Sequence, residues 1–265
     1  MGTGRIRVGV GGWTYEPWRG TFYPEKHPQK RELEYASRHL TAIEINGTYY
    51  GSQKPETFAK WHDETPGDFV FSLKGPRFTT NRRVLAEAGE SVERFVTSGI
   101  TELKNKLGPI NWQFMATKKF DPEDFAAFLN LLPKSVEGRA LQHVVEVRHE
   151  SFKSPEFIAL LREYGVAQVI AADSEFPQIA DVTAPLVYVR AMGAQDGEAL
   201  GYPDVALDAW AERAKTWVDG GAPEDLAPVV KGVPDKAPRD VFLFFIAGHK
   251  IANPAAAMAV IERLG

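Results

Sequence analysis

The chain has 265 residues, of which 44% are hydrophobic and 25% are charged, and it contains no cysteine. This balance is typical of a globular protein with a packed core and excludes a disordered or membrane-embedded chain. The absence of thiols excludes disulfides, thiolate nucleophiles and cysteine-ligated metal centres, and the net charge of −4 leaves only a local basic patch for nucleic acid.

Membrane insertion and secretion are not expected. No apolar run approaches the roughly 18 residues that a membrane helix needs, and a strand-like segment at residues 6–11 begins too early to leave room for a signal peptide. We therefore expect a cytoplasmic protein with no membrane partner. The length favours one domain over residues 1–265, because α/β barrels use about 200 to 250 residues as one domain.

Eight short apolar segments alternate with amphipathic segments along the chain. Strands are predicted at residues 6–11, 41–46, 68–74, 110–115, 142–148, 167–173, 185–191 and 240–247. Helices are predicted at residues 29–39, 55–63, 89–106, 122–132, 154–164, 204–218 and 254–264. Strands that alternate with helices form a parallel sheet, and eight of them are typical of a closed TIM-type (β/α)8 barrel.

Several predicted helices begin with a capping residue or with a proline in the first turn. These starts are Lys54-Pro55, Asp121-Pro122, Ser154-Pro155, Pro203-Asp204 and Asn253-Pro254. The segment after the sixth strand is short, so only a weak helix is expected there. Residues 219–239 are rich in glycine and proline, which predicts a turn-rich connection into the eighth strand.

Side chains alternate between the two faces of a strand, so one face of each predicted strand packs on helices while the other fills the barrel. The inner face carries polar residues near the carboxyl ends of the strands, where the active sites of such barrels lie. These residues are Glu44, Asn46, Ser72, Lys74, Gln113, Glu146, Arg148, Asp173, Tyr188 and Arg190. Their convergence favours a functional site, because a barrel filled only for stability uses bulky branched residues.

The fifth predicted strand carries opposite charges on one face. Glu146 and Arg148 point the same way because they are two residues apart. Lone charges are rarely tolerated inside a barrel. We therefore expect a ligand or a further charged residue to meet them.

A loop rich in glycine and aromatic residues follows the first strand. Gly11 and Gly12 precede Trp13 and Tyr15 in this loop. The glycines allow a ligand to approach the backbone closely, but they do not form the GxGxxG pattern of a dinucleotide-binding helix. The aromatic residues can form a stacking wall for a planar or sugar ligand, or they can be a hydrophobic cover that holds the loop.

Two loops have side chains suited to anions. The loop after the third strand follows Lys74, and the loop after the eighth strand contains His249 and Lys250. Barrels often bind phosphate after strands seven and eight, so we interpret these three residues as ligand-binding. Arg82 and Arg83 are interpreted as part of a solvated basic loop, because they lie beyond the strand end.

Motifs spread along nearly the whole chain occur together in one known family. They are residues 12–15 (GWTY), 18–20 (WRG), 22–24 (FYP), 44–50 (EINGTYY), 71–74 (FSLK), 107–109 (LGP), 146–149 (EVRH) and 255–257 (AAA), with Trp61, Thr65, Pro66 and Gln113. As a set they resemble the YecE-like family, also described as domain of unknown function 72. The resemblance implies a TIM-barrel fold without an established activity, and a relation to sugar isomerases is a likeness of fold alone.

By motif match, the resemblance also implies a set of pocket residues. These are Trp13, Glu44, Asn46, Lys74, Gln113, Glu146, Arg148 and His149. The chain departs from the family pattern at four places, which bear on the substrate more than on the fold. Gly11 stands where the family often has Ser or Thr, Met115-Ala116 where it has two prolines, Phe152 where it has Trp, and residues 247–250 (AGHK) where it has an Asn-rich segment.

The leading hypothesis is an enzyme that acts on a small anionic, sugar-like molecule by acid/base proton transfer, as isomerases and lyases do. Arg148, Arg190 and Lys74 would hold a phosphate or a carboxylate of that molecule. Asn46, Gln113, Asp173 and Tyr188 would contribute further contacts to the ligand.

The proton would be moved by a carboxylate and a histidine. Glu44 is favoured over Glu146 as the base, because the carboxylate farther from Arg148 keeps the higher pKa. His149 or His249 would return the proton.

A second hypothesis is a hydrolase of the glycosidase type, with Glu44 and Glu146 as its two carboxylates. A separation of about 5 to 5.5 Å suits a retaining enzyme and about 6.5 to 9.5 Å an inverting one. A divalent metal bound by both glutamates with Asp173 and His249 is an alternative, which the neighbouring cations disfavour. No other cofactor is predicted.

A third hypothesis is a binding protein without catalytic activity, whose partner could be nucleic acid. Arg77, Arg82 and Arg83 with exposed aromatic residues would form its surface. Such binding weakens steeply with salt. The oligomeric state is not predicted from the sequence.

Overall fold

The computed structural model describes residues 4–232 and 235–265. Eight parallel strands form a closed barrel, in which each strand pairs with the next along the chain and the eighth pairs with the first. The strands are β1 (Ile6–Gly11), β2 (Ala42–Ile45), β3 (Val70–Lys74), β4 (Leu107–Gln113), β5 (His143–Glu146), β6 (Ala167–Ala172), β7 (Leu186–Ala191) and β8 (Asp240–Phe245). The predicted (β/α)8 barrel is confirmed.

Seven helices of eight residues or more lie in the described part of the chain. They are α1 (Glu32–His39), α2 (Pro55–Asp63), α3 (Gly89–Val96), α4 (Pro122–Asn130), α5 (Pro155–Tyr164), α6 (Asp204–Val218) and α7 (Asn253–Leu264). Asp121 and Ser154 cap the starts of α4 and α5, because their side chains accept hydrogen bonds from backbone N–H groups three residues later. The predicted caps at these two helices are therefore confirmed.

The predicted helix over residues 89–106 is wrong in its second half. Helix α3 ends at Val96, and Gly99 adopts a left-handed φ of 96° that a continuous helix does not allow. Residues 100–106 then form 3-10 turns, interrupted at Lys104 with a φ of 51°. Strand β4 follows directly and begins three residues earlier than predicted.

Two connections follow the sequence prediction. Residues 173–185, all described by the structure, contain no helix, in agreement with the weak helix expected after the sixth strand. Residues 219–232 and 235–239 form turns and coil, and the remaining part of that predicted connection, with Pro234, lies outside the described residues. Asp181 fixes this connection, because its carboxylate accepts hydrogen bonds from the backbone N–H groups of Val229 and Val230 at 2.7 and 2.8 Å.

The barrel interior changes from apolar to charged along its axis. Its apolar layer is a separate buried cluster that includes Ala42, Val144, Val169, Tyr188, Phe242 and Phe244. Glu44, Glu146 and Arg190 each lie two residues beyond a member of that layer and therefore share its inward face. The strand register thus gathers these three side chains at the carboxyl end of the barrel.

In residues 4–232 and 235–265, no helix is long and apolar enough to cross a membrane. Strands from Ile6 to Phe245 share one barrel, and α7 packs against β1 and β8. That the whole chain is a single domain stays a prediction.

Candidate active site

Two buried glutamates share one arginine at the carboxyl end of the barrel. Glu44 in β2 and Glu146 in β5 are fully buried, and Arg190 in β7 is almost so. Arg190 Nη1 donates to both carboxylate oxygens of Glu146 at 2.8 Å. Its Nη2 and Nε lie 3.3 and 3.2 Å from the two oxygens of Glu44. A planar guanidinium can contact two carboxylates in this way because its donors point in several fixed directions.

Neutral side chains complete the hydrogen bonds of these carboxylates. Asn111 Nδ2 lies 3.4 Å from Glu44 Oε2 and 3.3 Å from Glu146 Oε2. The Tyr188 hydroxyl donates to Glu44 Oε2 at 2.7 Å and contacts the Ser72 hydroxyl at 2.7 Å. Burial raises the pKa of Tyr188 well above its usual value, so this hydroxyl stays protonated and acts as a donor.

Asn111 is the main residue that the sequence analysis missed. It carries no charge and lies in an apolar strand, so its type alone gives little signal. Strand alternation could have found it, because Asn111 is two residues before Gln113 and shares its face.

Two further cations lie between this buried layer and the surface. Lys74 Nζ donates to Gln113 Oε1 at 2.5 Å and lies 3.9 Å from Glu44 Oε1. Arg148 donates to Glu146 Oε1 through Nε at 2.9 Å and Nη2 at 2.7 Å. We call Glu44, Lys74, Glu146, Arg148 and Arg190 the charged cluster.

The charged cluster contains three cations and two carboxylates, so its formal charge is +1 when all five groups are ionised. Its surplus cation is near the surface, because the side chains of Arg148 and Lys74 are 21% and 7% exposed while both glutamates are inaccessible. An excess positive charge next to low-dielectric walls attracts anions.

The cluster shifts the pKa values of its members. Burial would raise the pKa of Glu146, but the charges of Arg190, Arg148 and Lys74 together outweigh burial and lower that pKa to about 2. Burial, with repulsion by Arg190, lowers the pKa of Lys74 to about 8. Glu146 therefore remains an anion at neutral pH, whereas Lys74 can release and take up a proton close to neutral pH.

Aromatic rings border the two outer cations. Phe176 lies under the Arg148 guanidinium, with 4.3 Å from Cζ to the ring centroid. The Tyr49 ring centroid lies 5.2 Å from Lys74 Nζ. Both rings can hold their cation by cation–π attraction without neutralising its charge.

A cavity of about 290 Å³ lies at the carboxyl end of the barrel, over the ends of β1 and β2. We call it the Trp13 cavity. Its lining includes Trp13, Asn46, Gln53, Trp61 and Lys250. Asn46 lies one residue beyond the end of β2 and two residues after Glu44 along the chain.

The aromatic loop after β1 contains both buried and partly exposed rings. Trp18, Phe22 and Tyr23 are buried and form the hydrophobic cover. Trp13 and Tyr15 are partly exposed instead. The cover therefore leaves two rings accessible from the carboxyl end of the barrel.

The structure does not bring every predicted residue into the charged cluster. His149 caps the 3-10 turn Glu150–Phe152, where its Nδ1 accepts from the backbone N–H of Ser151 at 3.1 Å. Asp173 lies beyond the end of β6, exposed, with a left-handed φ of 54°. His249 lines a different cavity of about 470 Å³, where its Nε2 lies 3.7 Å from Asp196 Oδ1. Their predicted roles stay predictions.

The divalent-metal alternative requires the side chains of Glu44, Glu146, Asp173 and His249 to lie close together. Among the described residues, no group of three or more His, Asp or Glu side chains is placed to hold a metal ion. Glu44 and Glu146 are in contact with arginine, while Asp173 and His249 lie in other surroundings.

A cavity of about 590 Å³ lies at the opposite, amino-terminal end of the barrel and is lined in part by His143. Burial lowers the pKa of His143 to about 4, so the ring is neutral. Its Nδ1 accepts from Trp112 Nε1 at 3.1 Å and its Nε2 donates to the Pro133 carbonyl at 2.8 Å. Both ring nitrogens are thus engaged, which is typical of a structural histidine.

Comparisons with known proteins support one family. A family model described as "Protein of unknown function DUF72" matches residues 7–265. The UPF0759 protein YecE of Escherichia coli O157:H7 is 31% identical over 170 residues, which cover 62% of this chain and 58% of that protein. The matched region thus spans less than two thirds of this relative.

Solved structures show the same fold. A DUF72 family protein of Thermotoga maritima MSB8 superimposes with a TM-score of 0.72 and 23% identity, covering 98% of both chains. A DUF72 family protein of Enterococcus faecalis V583 gives a TM-score of 0.70 and 20% identity, covering 98% of this chain and 95% of the other. At these identities, the likeness concerns the fold alone.

Proposed function

The chain belongs to the DUF72 family, whose function is unknown, and we therefore propose a function from the geometry of its own charged cluster. The proposal is an enzyme that acts on a small anionic, sugar-like molecule by acid/base proton transfer at the carboxyl end of the barrel. The observation that carries it is the charged cluster, in which a surplus positive charge accompanies a buried lysine, Lys74, whose pKa is lowered to about 8.

Arg148 is the anion-binding residue in this proposal. It is the more exposed cation of the cluster, and Glu146 and Phe176 fix its guanidinium. A phosphate or carboxylate can bind such a fork through two parallel hydrogen bonds. Arg190 is the less suitable ligand for an incoming anion, because it is buried between Glu44 and Glu146.

Lys74 is the proton-transfer residue. A general acid or base works best when its pKa lies near the working pH. Glu44, the base favoured from the sequence, is fully buried and its oxygens contact Tyr188 and Arg190. We assign to Glu44 and Glu146 the role of holding the cations in place.

A glycosidase is less well supported. Such an enzyme needs one carboxylic acid with a raised pKa as proton donor. Glu146 has a lowered pKa and both of its oxygens accept hydrogen bonds from Arg190.

One observation favours the nucleic-acid alternative. Tyr50 and Phe78 are 71% and 47% exposed near the same end of the barrel, and the Arg77 guanidinium lies 5.5 Å from the Tyr50 ring centroid. Aromatic rings beside arginine can stack on unpaired bases. Steeply salt-dependent binding of single-stranded oligonucleotides, lost in Arg77→Ala, would move this alternative to the front.

The test of anion binding compares two arginines in similar settings. Arg148 stacks on Phe176 and pairs with Glu146, and Arg213 stacks on Trp210 and pairs with Asp225. A ligand at 100 times its Kd adds about 2.7 kcal/mol to the free energy of unfolding, which a thermal-shift screen of sugar phosphates and carboxylates detects.

We expect stabilisation by an anion that Arg148→Ala abolishes and Arg213→Ala retains. The same stabilisation in both variants would show that the anion does not bind at Arg148. Proton transfer is then tested with the identified ligand in deuterium oxide. Lys74→Arg should keep binding but lose exchange of carbon-bound hydrogen, because a guanidinium does not release its proton.

A further inference from the structure

The Trp13 cavity contains a lysine, Lys250, that has no counter-ion among the described residues. Lys250 Nζ lies 4.2 Å from the Tyr15 ring centroid and 5.6 Å from that of Trp18. Within the part of the chain that the structure describes, no carboxylate oxygen lies within 4.0 Å of it. Burial also lowers the pKa of Lys250, so an anion beside it would stabilise its charged form.

The position of Lys250 is fixed by the aromatic cover. Trp18 Nε1 donates to the backbone carbonyl of Lys250 at 2.9 Å, although the two residues are far apart in sequence. The Trp18 ring is itself buried and contacts Phe22 and Tyr23. The backbone of Lys250 is therefore held at the cavity by a buried part of the molecule.

The opposite side of the cavity offers a ring and an amide. Trp13 packs edge-on against Trp61 at 5.2 Å, and its carbonyl accepts from the Tyr23 hydroxyl at 2.6 Å. A Cβ atom at Gly11 would lie 2.9 Å from Asn46 Nδ2, so glycine leaves room for the amide in its present position. An indole and an amide are groups that bind the faces and hydroxyls of sugars.

We propose that the Trp13 cavity binds a second anionic group of the ligand, a phosphate or a carboxylate, at Lys250. This inference rests on the proposed function, in which Arg148 holds the first anionic group and Lys74 transfers the proton. The hydroxylated middle of the ligand lies against Trp13 and Asn46. The substrate class is thus a sugar-like molecule with an anionic group at each end.

The experiment compares three probes by isothermal titration calorimetry. Fructose 6-phosphate carries one anionic group, fructose 1,6-bisphosphate carries two phosphates, and 6-phosphogluconate carries a phosphate and a carboxylate. Each is titrated into the parent, Lys250→Met, Arg148→Ala and the control Lys215→Met, which removes a lysine on the surface of α6. Thermal melting checks that every variant is folded.

We expect at least one two-anion probe to bind the parent about tenfold more tightly than fructose 6-phosphate, since a charge-assisted hydrogen bond is worth about that factor. Lys250→Met should remove this gain and leave the affinity for fructose 6-phosphate unchanged. The probe that gains affinity identifies the second group as phosphate or carboxylate. Lys215→Met should behave as the parent.

Two results would overturn the second binding site alone. One is equal affinity of the parent for all three probes, and the other is an equal loss for all three in Lys250→Met. Failure of the proposed function has a different signature: no probe binds the parent, or Arg148→Ala binds all of them as the parent does.

Discussion

Arg190 is the centre of the charged cluster, and its chemistry explains why two carboxylates can be buried together. Isolated charges inside a protein are costly unless they are paired and hydrogen-bonded. Arg190 contacts Glu44 and Glu146 at once. Burial alone would lower the pKa of Arg190, but the attraction of Glu146 and Glu44 outweighs desolvation and raises that pKa further. A lysine could not replace it, because a single ammonium lacks the planar arrangement of donors.

Glu146→Gln should destabilise the protein at pH 7 by about 3 to 5 kcal/mol, because Arg190 and Arg148 lose a buried partner. The folded pKa of about 2 lies below the usual value of 4.5, so the carboxylate contributes fully above pH 4.5. This contribution is lost as the pH falls towards 2. Denaturant unfolding should therefore show that the difference in the free energy of unfolding between parent and variant becomes smaller as the pH falls from 4.5 to 2. The exposed control Glu150→Gln should unfold with nearly the same free energy as the parent. For Glu146→Gln, a difference from the parent that stays constant with pH would contradict the assigned pKa.

Lys74→Met should show a pH dependence of the same sign in the alkaline range. The folded pKa of about 8 lies below the usual 10.5, so between these values the unfolded chain binds the proton and the folded protein releases it. The stability of the parent relative to the variant should rise from pH 8 to 10.5, by at most about 3 kcal/mol. Unfolding measured across that range, with Lys60→Met as the exposed control, tests this. A difference that falls over the same range would show that Lys74 is not desolvated.

At the scale of elements, the sequence predicted the strands better than it predicted their ends. It placed the start of the fourth strand at residue 110, after Gly108 and Pro109. The structure includes both in β4, since the β3–β4 register shifts there and the Ser72 hydroxyl donates to the Pro109 carbonyl. Such a local shift depends on the neighbouring strand and cannot be predicted from one segment alone.

The end of the loop after β8 depends on a left-handed backbone. Gly248 has a φ of 55°, and a Cβ there would lie 2.5 Å from the Ala194 carbonyl oxygen. Gly248→Ala should cost about 2 kcal/mol or more, because the left-handed conformation alone costs about 1–2 kcal/mol for other residues. Thermal unfolding should show this loss, whereas Gly67→Ala, with open space around it, should change stability little. An unaffected Gly248→Ala would mean that the loop can adopt another conformation.

At the scale of the whole molecule, alternation along the strands predicted which side chains face inward, and the closed barrel confirms this for Glu44, Lys74, Glu146 and Arg190. It did not predict which of them contact each other. Arg190 in β7 reaches β2 and β5, which are not its neighbours in the sheet, so these contacts arise only from closure of the barrel. Asp173 shows the limit of the pattern, because the strand ends one residue before it.

The charged cluster can form only after β2, β3, β5 and β7 have all taken their places, because each supplies a member or holds one at its end. Contacts between such distant segments form late in folding, after the local turns and helices. Glu146→Gln should therefore accelerate unfolding while leaving the folding rate nearly unchanged, which the two arms of a denaturant chevron report separately. The cluster would then determine how long the native barrel persists, and have little influence on how fast it forms.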